Sequence, residues 1–345
     1  MSILDSGEEV EESFTLDQPS GFEPGAYYRI TITNEHDELS AKCDNIVVEP
    51  ASSAQSAPLH YEQFHKELEA WVDSEGAGAR VRETAELIEK AFRSESTTLH
   101  LPFQRLRTLP TVIGELRHLR EFSVHSHELT TLPPQIGQLE MLEKLNFSSC
   151  RLTDLPAELV QLKWLKELDL SQNQLEVLPP VIGQLKRLKE LRLSFNRLRT
   201  LPPQISKLLM LERLELERNQ LTELPPEIGE LMSLQRLDLS GNQLKILPAQ
   251  IRGLYRLKTL ILSFNTLIDL PDGMSGPGEL PCLQELQLSG NRKLSELPVD
   301  FSMSLDITEI DISETLISPD KCDLILAMIR KRRDAEALRT DASKA

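Results

Sequence analysis

One period governs the chain from Ser96 onward. The frame LxxLxLxxNxL starts at Leu119, Leu142, Leu165, Leu188, Leu211, Leu234 and Leu257, each 23 residues after the last, with a degenerate copy at Ser96. Two further copies start at Leu283 and Ile307, after spacings of 26 and 24, and the spare residues fall in Gly276-Pro277-Gly278 and near Met303. Thirteen of the 21 prolines follow the frame in LP or LPP pairs, so the punctuation keeps the same register. A unit of this length cannot bury its apolar side alone, and only a stack of such units folds. Dividing 345 residues by a typical domain size therefore says nothing about domain number here.

Within the frame the central xLxLx is extended, so its leucines point to one side and the x residues to the other. Stacked units then form a parallel sheet whose inward leucines make the core. The Asn position has no water beside it, so its amide has to satisfy backbone groups. Asn173, Asn196, Asn219, Asn242, Asn265 and Asn291 make a ladder, which fails where Gln104, His127, Cys150 and Thr315 stand in its place. The proline pairs fix φ and remove N–H donors, which keeps a second sheet from forming on the opposite wall. The expected fold is α/β: a solenoid with a curved parallel sheet on its concave face, loops and short helical turns on its convex face, and helical caps.

The segment LKELDLSQNQLEVLPPVIGQL, Leu165 to Leu185, resembles the 23-residue intracellular type of leucine-rich repeat, and the resemblance covers residues 96 to 317, about ten repeats. Two helices leading straight into the first repeat are similar to the arrangement in bacterial type III effectors with leucine-rich repeats, although the acidic start departs from their Ser-rich, acid-poor secretion signal. The resemblance implies a non-enzymatic recognition module, a monomer that binds a protein partner with its concave face, cytoplasmic or delivered into a host cell by a non-classical route. The family also offers a ubiquitin-ligase-related effector, which needs a further domain that a chain ending at Ala345 does not provide, and a small-GTPase pathway scaffold.

Outside the repeats, residues 1 to 57 carry twelve acids against Arg29 and Lys42. This composition predicts disorder for 1 to 20 and for Pro50 to Pro58, with a hairpin over 27 to 48 between them. Apolar residues at intervals of three and four predict helices over 59 to 73 and 79 to 92, an N-terminal cap over 58 to 95. After the repeats, Ser318 and Pro319 open a capping helix striped by Cys322, Ile325, Leu326 and Ile329, in a final segment 318 to 345.

The net charge of −16 opposes phosphate backbones and anionic lipid surfaces, so neither a nucleic acid nor a membrane is an expected partner. No stretch is long and apolar enough for a membrane span, and the first twenty residues lack the basic start of a signal peptide. The four cysteines stand apart without CxxC or Cys/His pairing, so no disulfide framework or metal site is expected, and no cofactor. His100, His125 and His127 read as structural. Arg330-Lys331-Arg332-Arg333 suits the exposed last turns of the capping helix. No Ser/His/Asp, P-loop, GxSxG, HExxH or kinase pattern is present, so an enzyme is not expected.

The x positions carry the sharper signal. They read Glu167, Asp169, Glu190, Arg192, Phe195, Arg197, Arg213, Glu215, Glu217, Arg218, Arg236, Asp238, Ile261 and Phe264. Arginines beside exposed aromatics are the composition of interface hot spots. Ten strands at about 4.8 Å spacing span roughly 45 Å, enough for a protein epitope and too open for a small molecule. Arg192, Arg213, Phe195 and Arg218 gather near the middle of the arc, and Lys186 and Lys207 fall on the opposite wall.

Overall fold

The computed structural model describes residues 2–5, 8–11, 28–33, 45–50, 56–102, 105–125, 128–271, 274, 280–297 and 307–342. Two compact units emerge, Met1–Lys66 and Glu67–Ala345. In the first, β1 (Ser2–Asp5) pairs antiparallel with β2 (Glu8–Glu11), a ribbon inside the stretch whose composition predicts disorder, and β3 (Tyr28–Thr33) pairs antiparallel with β4 (Asn45–Pro50). In β1 and β2 the apolar Ile3 faces Val10 across the ribbon register.

Helix α1 (Ser56–Ser74) runs across the boundary between the units, and α2 (Ala79–Arg93) leads into the repeats. Gly76, at φ 97°, and Ala77, at φ 49°, turn the chain between them, a left-handed geometry that glycine adopts freely. Helix α2 buries Val81, Thr84, Ala85, Ile88 and Ala91 on one side and contacts the first strand of the repeats. Two polar residues tie the end of α1 to the first repeat. The Trp71 indole N–H donates to Thr108 Oγ1 at 3.1 Å, and the Glu75 carboxylate accepts the N–H groups of Arg107 and Thr108, both at 3.0 Å, and the Thr108 hydroxyl at 2.6 Å.

The repeats form one ten-stranded parallel sheet in sequence order. Its strands are β5 (Thr98–Leu101), β6 (Glu121–Val124), β7 (Lys144–Asn146), β8 (Glu167–Asp169), β9 (Glu190–Arg192), β10 (Arg213–Glu215), β11 (Arg236–Asp238), β12 (Thr259–Ile261), β13 (Glu285–Gln287) and β14 (Glu309–Asp311). The opposite wall is built of short 3₁₀ turns, such as Pro180–Gln184 and Pro203–Lys207, in agreement with the expected solenoid. In four of these turns a proline occupies the first helical turn, where its fixed φ and missing N–H cost nothing. Between sheet and turns lies the core; in one repeat it consists of Leu165, Leu168, Leu170, Leu175, Leu178, Ile182 and Leu185, all buried.

The asparagine ladder does more than close each turn. Asn219 accepts the Leu198 N–H at 3.0 Å and donates to Leu193 O at 2.9 Å, both in the preceding repeat, and to Leu216 O at 3.0 Å in its own. Asn173, Asn196, Asn242, Asn265 and Asn291 repeat the pattern. At Cys150 only a thiol remains, 3.7 Å from Val124 O, and at Thr315 the hydroxyl donates to Ile312 O within its own repeat. The other irregular positions, Gln104 and His127, and the loops at 276–278 and 303 lie outside the described residues. At the far end α3 (Pro319–Ala342) buries Cys322, Ile325 and Ile329, while Leu326 is half-buried; the Ser318 carbonyl accepts the N–H groups of Lys321 and Cys322.

Each ladder amide serves three or four backbone groups, so its loss leaves buried partners unpaired. Asn219→Ala is expected to destabilise the protein by about 1 to 3 kcal/mol more than the neighbouring Gln220→Ala; urea unfolding of the two variants measures the difference.

Candidate functional site

Strand pairing arranges the outward side chains in columns. One column runs Glu167, Glu190, Arg213, Arg236, and the next runs Asp169, Arg192, Glu215, Asp238, Ile261. Their charges interlock. Arg192 ion-pairs with Glu190 and stands 3.6 Å from the Glu215 carboxylate, Arg213 reaches Glu190 at 3.1 Å, and Arg236 lies 3.6 Å from Asp238. Partly exposed pairs of this kind contribute about 0 to 1 kcal/mol each, so they orient the arginines rather than hold the sheet together. Burial pushes the Glu215 carboxyl above the usual carboxylate range against the pull of Arg192 and Arg236, and Asp238 and Asp169 add to the rise.

Two of the acids have a local structural duty. The Asp169 carboxylate accepts the Ser171 N–H at 2.9 Å and that of Asp238 the Ser240 N–H at 3.0 Å, turning the chain as it leaves each strand. Asn146 and Asp311 do the same for Ser148 and Ser313. The Asp/Asn-x-Ser spacing is legible in the sequence and marks these residues as turn formers. Arg192, Glu215 and Ile261 occupy equivalent positions but cannot or do not make this bond, which frees them from that duty.

Past the strands the column changes character. Glu217 continues the outward alternation and pairs with Arg218 at 3.5 Å. Phe195, Arg218 and Phe264, grouped with the strand residues by their spacing, sit instead in the turn that follows, at φ 58°, 51° and 56°. Ser149, Gln172, Gly241, Gly290 and Glu314 hold the same left-handed position in other repeats, at φ 59°, 57°, 66°, 75° and 56°. For a residue with a Cβ this conformation costs about 1 kcal/mol or more, yet both phenylalanines adopt it while 43% and 61% exposed. The Arg218 guanidinium lies 5.5 Å from the Phe195 ring centre. A Cβ on Gly290 would come within 2.5 Å of the Phe264 ring, so that glycine makes room for the phenylalanine, and Gly241 leaves the row without a side chain between Arg218 and Phe264. Arg197 falls beyond Asn196, where its N–H donates to Leu175 O at 2.9 Å, one step past the row.

His100 and His125 each hydrogen-bond a serine one repeat on, Ser123 at 2.6 Å and Ser148 at 3.3 Å. Among the described residues no group of three or more His, Cys, Asp or Glu side chains is placed to hold a metal ion, and no helix is long and apolar enough to cross a membrane.

The stacked parallel strands, the amide ladder and the proline turns define a leucine-rich repeat protein. Family models agree: residues 140–198 match a leucine-rich repeat and 199–305 a leucine-rich repeat region. No curated protein matches the chain. Among solved structures, a leucine-rich repeat protein of Leptospira interrogans is 35% identical over 66% of this chain, with a TM-score of 0.57, and this chain spans 64% of that protein. The leucine-rich repeat domain of the type III effector XopL is 26% identical, with 75% of this chain and 93% of that one aligned and a TM-score of 0.61. YopM from Yersinia enterocolitica is 26% identical over 75% of this chain and 56% of its own, with a TM-score of 0.56. The chain thus resembles bacterial leucine-rich repeat proteins, a type III effector among them.

A carboxyl whose pKa is raised on folding favours the folded state below its unfolded pKa and loses that contribution as pH rises through the folded value. Glu215→Gln is therefore expected to unfold at higher urea than wild type at pH 7, with the two proteins converging as the pH falls to about 4; urea titrations at the two pH values check the sign.

Proposed function

We propose that the strand face and the turn row beside it bind a protein partner, and that the protein is a bacterial effector acting inside a host cell. Leucine-rich repeats are in general non-enzymatic protein–protein interaction modules, which supports a binding role here. The observation that carries the reading is the row Phe195, Arg218, Phe264: large side chains kept exposed in a backbone conformation that favours glycine. The repeat itself sets this backbone, which Ser149, Gln172 and Glu314 share, so what the fold does not require is the choice of large, exposed side chains there rather than glycine or a small polar residue. Beside the row, Arg192, Arg213, Glu215 and Glu217 present oriented charge near the middle of the sheet, where a bound partner excludes water most completely. The effector role is supported by the likeness to XopL, which its structure describes as a type III effector.

Phe195→Gly with Phe264→Gly is expected to weaken capture of the partner at least tenfold, about 1.4 kcal/mol. Unfolding stability should stay within about 1 kcal/mol of wild type, because relief of the left-handed strain offsets the entropy of the added glycines. Val177→Ala with Ile246→Ala, equally exposed apolar residues leading into the proline turns, serves as the control and should bind normally. Affinity capture from host lysate with quantitative mass spectrometry reads all three proteins. Normal capture by the glycine pair and loss in the control would move the binding face to the other wall.

A further inference from the structure

The edge by which the chain enters β8 to β10 carries a second unusual surface, in the residues just before each frame leucine. Lys163, Lys186 and Lys207 are exposed here, and the Lys186 ammonium donates to Lys207 O at 3.2 Å. Burial, and after it the charges of Lys207 and Lys163, push the Lys186 ammonium below its ordinary pKa, so the three cations crowd one another. Arg187 lies 3.6 Å from the ring centre of Trp164, which is 48% exposed. Leu209 and Met210, 57% and 47% exposed, continue the patch into the next repeat.

The fold does not require these residues. Lys166 and Lys189, three positions further along their repeats, are matched by Glu143 and Glu212. Among the described residues no carboxylate pairs with Lys163, Lys186, Arg187 or Lys207. Ser233 stands at the position of Trp164 in a later repeat, so a large aromatic there is no packing need. In a chain of net charge −16, a cluster of unmatched cations around an exposed indole and two aliphatic side chains is a local inversion of sign with apolar surface at its centre.

We infer that this edge is a docking surface for an acidic, amphipathic segment of a protein partner, distinct from the strand face. Carboxylates of the segment meet Lys163, Lys186 and Lys207, and its apolar side chains cover Trp164, Leu209 and Met210. A nucleic acid fits less well: the overall charge opposes a long polyanion, and phosphates offer nothing to the two aliphatic side chains.

The 345-residue chain is titrated with a short fluorescent peptide, free of tryptophan, that carries glutamates on one helical face and leucines on the other. The chain has two tryptophans and Trp71 is buried, so a change in tryptophan emission reports Trp164 directly. Expected are saturable anisotropy, a blue shift of the emission, and at least tenfold weaker binding for Lys186→Glu with Lys207→Glu. The milder Lys186→Gln with Lys207→Gln should show a smaller loss in the same direction, and Arg192→Ala with Arg213→Ala, on the strand face, none. No binding by wild type, unchanged affinity in both lysine pairs, or equal affinity for a single-stranded oligonucleotide of the same length overturns the assignment.

Discussion

The buried asparagine amide is the interaction on which the rest of this structure depends. Leucines drive the repeats together, but their attraction is non-directional and tolerates slippage. One amide that accepts an N–H from the previous repeat and donates to carbonyls in both fixes the offset between neighbours. With that offset set, the outward positions fall into straight columns, and a surface assembled from residues far apart in sequence acquires a definite geometry. Recognition by such a protein is thus a by-product of how its backbone is neutralised.

The fold was legible because its rule is repeated: a single LxxLxLxxNxL unit is weak evidence, while eight in register leave little freedom. The proline pairs likewise announced the short turns of the opposite wall. The columns Glu190–Arg213–Arg236 and Arg192–Glu215–Asp238 followed from counting alone. What counting does not reveal is conformation. Phe195 and Arg218 share a parity with no strand partner, and only the left-handed φ sets them in the turn. Asp169 and Asp238 look like free surface acids until their bonds to Ser171 and Ser240 are seen. Lys186 and Lys207, inert by position on the opposite wall, gain meaning from Lys163 and Trp164, which lie outside any frame that tracks leucines.

Strand face and entry edge differ in how their charges are treated. On the strand face nearly every arginine has an acid beside it, which holds the side chains in place and leaves little net charge to attract a distant partner. At the entry edge the cations are unmatched and crowded, an arrangement that favours association from a distance and responds strongly to salt. The first suits selectivity at contact and the second suits capture.

The substitution of Cys150 for asparagine bears on how evenly the stack is held. Each repeat contacts only its neighbours, so the stability of the stack is set junction by junction. From Asn173 to Asn291 every junction carries the same bonded amide. The first repeat is fastened from outside the ladder, by Trp71 and Glu75. Where the amide is replaced, the bonding changes with it: the Cys150 thiol reaches Val124 O and Ser148 O, and the Thr315 hydroxyl bonds Ile312 O of its own repeat, so the amide that sets the offset is a feature of the middle of the stack.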